Sequence, residues 1–353
     1  MIRFGLIGCG RIADRHIASL AACRGAELAA LCDIREERMR EAEQAYRMRG
    51  GVSKGISQHL DVDHLLQDDR IDAIVICTHS ALHAELALRA LQAGKHVILE
   101  KPMTLSLADA KHIIQLAEEK ALKVQICHQL RYRPLMRRVK DLIEQGALGR
   151  VYMGTATIRL QRSKRYYEEA HWRGTWEQDG GMLLNQGIHL IDLLQWFLGD
   201  AVHVYGKMAR TSMPKETEDI AAGIIQFAGG GIGIIEANTI SKPGNFDNAV
   251  TLFAERGTIS IGGIKMNEIR RWYIEDGAQP PDEDELKIDE HQLMYESYVR
   301  ALEGDADQML IDAGDGSKAL EMIFALYESV RQGREISLPL RNFATTMMTE
   351  WEG

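Results

Sequence analysis

Ile2-Arg3-Phe4-Gly5-Leu6-Ile7-Gly8-Cys9-Gly10-Arg11-Ile12-Ala13 runs from an apolar stretch through a glycine-rich turn into a helical pattern, and Asp33 closes the next apolar run. Gly8 permits a tight turn out of a strand, Gly10 lets the backbone approach a pyrophosphate, and the small Ala13 allows helix and sheet to pack closely. Free amides at the helix N-terminus then meet the phosphates. Asp33, 23 positions after Gly10, is placed to bond ribose hydroxyls and to repel a 2′-phosphate, which favours NAD over NADP. Arg35 can soften that preference. Glycines alone serve any tight turn; the strand before them, the helix after them and the acid downstream select the dinucleotide reading.

Working outward, strand-like runs at 2–7, 28–32, 73–77, 96–99 and 123–127 alternate with helical periodicity at 11–22, 35–47, 62–66, 81–93, 106–120 and 134–145. That alternation predicts a doubly wound parallel α/β sheet of the Rossmann kind. After Gly149 the texture changes. Runs at 151–159, 202–210, 220–227, 232–239, 248–254 and 257–261 are separated by turn residues, and helices read at 182–198, 290–303 and 317–332. This half is expected to be α+β on a large, mostly antiparallel sheet. The expected division is a NAD-binding domain over 1–124 and a substrate-binding and oligomerisation domain over 125–353.

A chain of 353 residues with 45% apolar residues can bury two cores. The net charge of −9 argues against nucleic acid or an anionic membrane as partner. The chain opens directly on a strand and has no apolar stretch of spanning length, so the expectation is a cytoplasmic protein. Cys9, Cys23, Cys32, Cys77 and Cys127 show no metal-site or redox spacing, so buried reduced thiols and no metal are expected.

Three further stretches carry a resemblance: Cys77-Thr78-His79-Ser80-Ala81-Leu82-His83, Glu100-Lys101-Pro102, and Gly180-Gly181-Met182-Leu183-Leu184-Asn185-Gln186-Gly187-Ile188-His189-Leu190-Ile191-Asp192. With the Gly8 to Ala13 turn, the chain resembles over essentially its whole length the Gfo/Idh/MocA oxidoreductases, which act mainly on sugars, inositols and their derivatives. Two positions depart from common members. His79 stands where proline is frequent, and Asn185 stands where inositol dehydrogenases usually place aspartate, which is similar instead to nucleotide-sugar 3-dehydrogenases. The resemblance implies NAD contacts from Gly8, Gly10, Arg11, Ile12, Asp33, Thr78, His79, His83, Glu100, Lys101 and Gln129. It also implies catalytic roles for Lys101, His189 and Asp192, and cofactor or substrate contacts from Gln129, Arg131 and Tyr132.

The chemistry of alcohol oxidation makes these roles sensible. Lys101 leaves the carboxyl end of a strand, where open α/β sheets bind ligands, so its ammonium can reach both a substrate hydroxyl and the ribose. A cationic nicotinamide and partial desolvation would lower its pKa toward proton relay; the plain alternative is a surface lysine before a helix. His189 suits general acid/base work by its intrinsic pKa. Asn185, His189 and Asp192, spaced four and three apart, share one helix face. Asn185 is expected to orient substrate, while Asp192 either fixes the His189 tautomer or binds substrate itself. The segment 162–179, with Arg165, Tyr166, Tyr167, His171, Trp172, Arg173 and Trp176, reads as a loop over the site whose rings stack on a sugar and whose arginines hold phosphate or carboxylate, Trp172 and Arg173 foremost. Its plain alternative is aromatic filling between domains.

The expectation is an NAD-dependent dehydrogenase oxidising a secondary hydroxyl, with C3 the expected position, of a sugar or nucleotide sugar. A dehydrogenase of inositol, a free aldose or a trans-dihydrodiol is the alternative within enzymes, and a non-catalytic NAD(H)/sugar sensor is the alternative outside them. By analogy with the family, the large sheet is expected to carry a homodimer or homotetramer contact.

Overall fold

Apolar runs too short for helices and buried on both faces form the first sheet: β1 (Ile2–Ile7), β2 (Ala26–Cys32), β4 (Ala73–Ile76), β5 (His96–Leu99) and β6 (Val124–Ile126). The computed structural model describes all residues except Ser212, Glu283 and 306–308. A short polar edge strand, β3 (Ser57–His59), completes six parallel strands in the order β3-β2-β1-β4-β5-β6. Crossovers run through α1 (Ala13–Ala22), α2 (Glu36–Met48), α3 (Val62–Leu66), α4 (His83–Gln92) and α5 (Leu107–Glu119). Among the described residues, no helix is long and apolar enough to cross a membrane.

The chain forms two compact units, and the boundary is not the single cut expected at 124/125. The first unit holds Met1–Thr104, Asp109–Tyr132 and also Asp289–Gly316. The physical reason is aromatic: α9 (Glu290–Leu302) sends Tyr295 and Tyr298 onto Phe4 of β1, with ring centroids 5.8 and 6.4 Å apart. The Tyr298 hydroxyl lies 3.0 Å from the Val97 and Lys123 carbonyls. The Tyr295 hydroxyl lies 2.8 Å from His16 Nδ1, and His16 Nε2 lies 3.0 Å from Glu100 Oε1.

The second unit holds Leu105–Ala108, Arg133–Ile288 and Ser317–Gly353. After α6 (Pro134–Glu144), β7 (Val151–Arg159) leads through the short α7 (Lys164–Glu168) to α8 (Ile188–Leu198). The helix expected over 182–198 begins instead with a π-helical turn, Leu183–Gly187. Strands β8 (Ala201–Ala209), β9 (Ile220–Phe227), β10 (Ile232–Asn238), β11 (Asp247–Ala254), β12 (Gly257–Gly262) and β13 (Glu268–Ile274) follow. The long α10 (Ala313–Gln332) and β14 (Ile336–Ser337) close the chain. The eight-stranded order is β13-β12-β11-β7-β10-β9-β8-β14, antiparallel except where β10 pairs with β7. Glycines let the helices lie close to one face: a Cβ at Gly154 would fall 2.7 Å from Leu194 of α8, and one at Gly206 would fall 2.6 Å from Leu326 of α10.

Two predictions follow from these interiors. Gly206→Ala should cost about 1–3 kcal/mol by overpacking, read as a lowered thermal midpoint; an unchanged midpoint would show that α10 shifts freely. Burial pushes the Glu100 carboxyl up, but the His16 hydrogen bond and the charges of His16 and Lys101 override it and hold the group down at about 2. Because the folded value lies below the usual 4.5, its stabilisation is present above that range and is lost as pH falls toward about 2. Glu100→Gln should therefore cost about 1–3 kcal/mol at neutral pH, with the gap to wild type narrowing in acid. An equal gap at both pH values would contradict the assignment.

Candidate active site

The strand order reverses direction between β1 and β4, the switch point where open α/β sheets bind ligands. Gly8 lies there with φ +91°, and a Cβ on it would sit 3.0 Å from the Cys77 carbonyl and from Thr78 Cγ2. Only glycine lets the two loops approach so closely. Gly10 is the opposite case: no atom lies within 4 Å of its Cβ position, leaving open space for a pyrophosphate against the backbone, and Arg11 and Ile12 beside it are exposed. The residues present therefore fit NAD. Asp33 Oδ2 accepts the Cys9 amide at 2.8 Å and Oδ1 accepts the Arg35 amide at 2.9 Å, with Arg38 4.0 Å away. Each oxygen keeps lone-pair capacity for a ribose hydroxyl. Thr78, His79 and Gln129 are half-buried beyond the carboxyl ends of β4 and β6.

Lys101 is also half-buried, and its backbone is held on both sides. Glu100 Oε2 accepts the Lys101 amide at 3.0 Å, while His83 Nδ1 lies 2.7 Å from the Pro102 carbonyl and its Nε2 3.1 Å from that of Thr78. His83 is 1% exposed. His83 is thus an interior strut joining two loops. Glu100 likewise turns both oxygens inward, onto His16 and the Lys101 amide. Tyr132, expected at the substrate, is 1% exposed and spends its hydroxyl on Gln125 Oε1 (2.7 Å) and the Leu310 amide (3.2 Å). Arg131 beside it is also buried. His16, Glu100 and Cys127 lie close enough to hold a metal, but His16 and Glu100 are spent on protein partners and burial raises the Cys127 thiol well above its usual range.

In the second unit, His189 stands half-buried on the first turn of α8, and Asp192, one turn later, is fully buried. Asn185 lies in the π-helical turn, a geometry that recurs at functional sites. Its side-chain amide donates to Asp179 Oδ1, and Asp179 Oδ2 accepts the Gly174 amide at 2.7 Å. Asp179, which sequence reasoning passed over, thus ties Asn185 to the loop; its position directly before Gly180-Gly181 was the available signal. The aromatic segment is buried unevenly. Trp176 is core, 5.3 Å from the Tyr327 ring and 6.0 Å from that of Trp351, and Tyr167 is buried. Trp172 and Arg173 remain half-buried, the guanidinium lying 4.3 Å from the Tyr166 ring centroid and 5.5 Å from that of Trp172. Arg162 lies 5.3 Å from the same Tyr166 ring.

Residues 2–128 match the oxidoreductase family described as a Gfo/Idh/MocA NAD-binding Rossmann fold, and residues 136–260 match the Gfo/Idh/MocA C-terminal domain. The chain is similar to the WlbA dehydrogenase of Bordetella pertussis, solved with NADH and UDP-GlcNAcA: 35% identity, 96% of this chain and 99% of that one, TM-score 0.86. The WlbA enzyme of Chromobacterium violaceum, solved with the same ligands, is 30% identical over 96% of each chain, TM-score 0.87. An inositol 2-dehydrogenase of Rubrobacter xylanophilus is 28% identical over 94% of this chain and 92% of its own. The dinucleotide turn, the held Lys101 and the His189 helix thus fall within a full-length match, and the chain belongs to the Gfo/Idh/MocA family of NAD-dependent oxidoreductases acting on sugar-like substrates.

Proposed function

We propose that this dehydrogenase oxidises a secondary hydroxyl, at C3, of a nucleotide-linked sugar of the UDP-hexuronate class. The observation that carries the reading is the likeness to the WlbA structures holding UDP-GlcNAcA, which extends over 96% of the chain. Asn185 in place of an inositol dehydrogenase aspartate supports it. So do Arg162 and Arg173 over Tyr166, a cationic and aromatic surface suited to an anionic nucleotide sugar.

NAD, when bound, supplies the hydride acceptor. His189 takes the hydroxyl proton as general base, and Asn185, fixed by Asp179, orients the sugar. Lys101, held by Glu100 and His83, contacts the hydroxyl and shares the proton. Buried Asp192 acts through the orientation of His189 rather than on the sugar. Thr78, His79 and Gln129 remain proposed cofactor contacts, and Trp172 and Arg173 proposed sugar-nucleotide contacts. The unpaired, buried cysteines support a reducing cytoplasmic setting.

The sheet face away from α8 and α10 supports a homo-oligomer. Ile232, Met153, Phe253, Thr258 and Tyr273 stand in register across β10, β7, β11, β12 and β13, so their side chains share one face. Ile224, Ile232, Phe253 and Tyr273 are exposed, and a contiguous exposed apolar patch marks an interaction surface.

Incubation with NAD and a panel of UDP-hexuronates, inositols, aldoses and dihydrodiols, read as NADH formation, tests the assignment. The UDP-hexuronate arm should lead by about 100-fold in kcat/KM. A lead by inositol moves the chain to the alternative, and tight NADH binding without turnover on any arm favours a sensor. Lys101→Ala and His189→Ala should each lower kcat by about 100-fold or more while NADH affinity stays within about threefold; unchanged turnover removes that residue from the mechanism. Sedimentation should show a dimer or tetramer that Ile224→Lys with Phe253→Lys converts to monomer. A monomeric wild type would refute the face as an interface.

A further inference from the structure

We infer that Glu218, with Tyr327, is a positioning residue that sets the backbone of the π-helical turn leading from Gly181 through Asn185 to His189. The inference rests on the proposed roles of Asn185 and His189. Glu218 is fully buried two residues before β9, and its Oε1 accepts the Leu183 amide at 2.9 Å and the Tyr327 hydroxyl at 2.8 Å. Leu183 is the first residue of the π-helical turn, so one of its otherwise orphaned N–H groups is satisfied from outside the helix. Gly181 shows the same contact from the other side: its φ is +103°, and a Cβ there would fall 2.5 Å from both Glu218 Oε2 and the Tyr327 hydroxyl. Gly181 is therefore the imprint of this carboxyl pressing on the backbone.

The surroundings make the grip specific. Lys215 is buried with its ammonium 3.0 Å from Asp219 Oδ1 and bonded to the Glu218 carbonyl, so the cation holds the Glu218 backbone. Glu216 accepts the Trp176 amide at 3.0 Å, which ties the aromatic loop to the same segment. Burial raises the Glu218 carboxyl above its usual range, and the Lys215 charge and the bonds from Leu183 and Tyr327 offset this only in part. Among the described residues the second oxygen has no hydrogen-bond partner, which a neutral carboxyl tolerates far better than a carboxylate. A glutamine amide keeps an oxygen that can accept the Leu183 N–H, whereas a methyl group cannot.

The test compares Glu218→Ala, Glu218→Gln and Tyr327→Phe in the full chain by native-state hydrogen exchange and by kinetics. In Glu218→Ala, amide exchange across 182–190 should quicken about tenfold or more while β9 and β10 stay protected. Its kcat should fall about tenfold or more with the KM for NAD unchanged. Glu218→Gln should restore both, and Tyr327→Phe should fall between. Should Glu218→Ala fail to fold, Tyr327→Phe decides: local quickening supports the grip, and wild-type exchange overturns it. Quickening throughout the second unit, or no rescue by glutamine, also overturns it. Exchange needs no substrate, so it reads the positioning even if the proposed sugar proves wrong.

Discussion

A carboxylate or carboxyl that accepts a backbone amide anchors each segment proposed to be functional: Asp33 takes the Cys9 amide at 2.8 Å, Glu100 the Lys101 amide at 3.0 Å and Glu218 the Leu183 amide at 2.9 Å. A reactive side chain is only as well placed as the backbone beneath it, and a misplacement of about 1 Å can cost about 100-fold in rate. Loops at strand ends lack the ladder that fixes a sheet, so an interior acid that cannot turn to water supplies the missing constraint. The price is burial of polar groups, met here by partners such as Tyr295 on His16 and Tyr327 on Glu218.

Glycine works with these acids. Gly8 permits two loops of the nucleotide unit to touch, and Gly181 permits Glu218 and Tyr327 to press on the start of the His189 helix. At Gly181 a side chain would push the anchor off its amide, and at Gly8 it would push the two loops apart. The open space at Gly10 is the reverse use, where absence of a side chain leaves room for a ligand.

Much of this was legible in the sequence because it is periodic. The parallel strands, their helices and the sheet strands of the second half follow from runs of apolar residues, and the dinucleotide turn from glycine spacing. Strand β13 escaped because Glu268, Arg270 and Arg271 hide its alternation, and β3 because Ser57-Gln58-His59 carries no apolar signal. The return of α9 to the first unit was invisible since it depends on Tyr295 and Tyr298 finding Phe4 across nearly the whole chain. His83 and Tyr132 are each 1% exposed, and a polar group near a strand end looks the same in sequence whether it faces ligand or interior. Glu218 was unreadable for the converse reason: an acid in the run Lys215-Glu216-Thr217-Glu218-Asp219 looks like solvated charge.

In the proposed reaction a sugar carbinol loses its hydride to NAD while this chain's own residues take the proton. Turnover of a UDP-hexuronate deuterated at C3 follows both the hydride and the carbon it leaves. The expected outcome is NADH that carries the deuterium and a sugar product with a ketone at C3. Unlabelled NADH, or a ketone at another carbon, would contradict it.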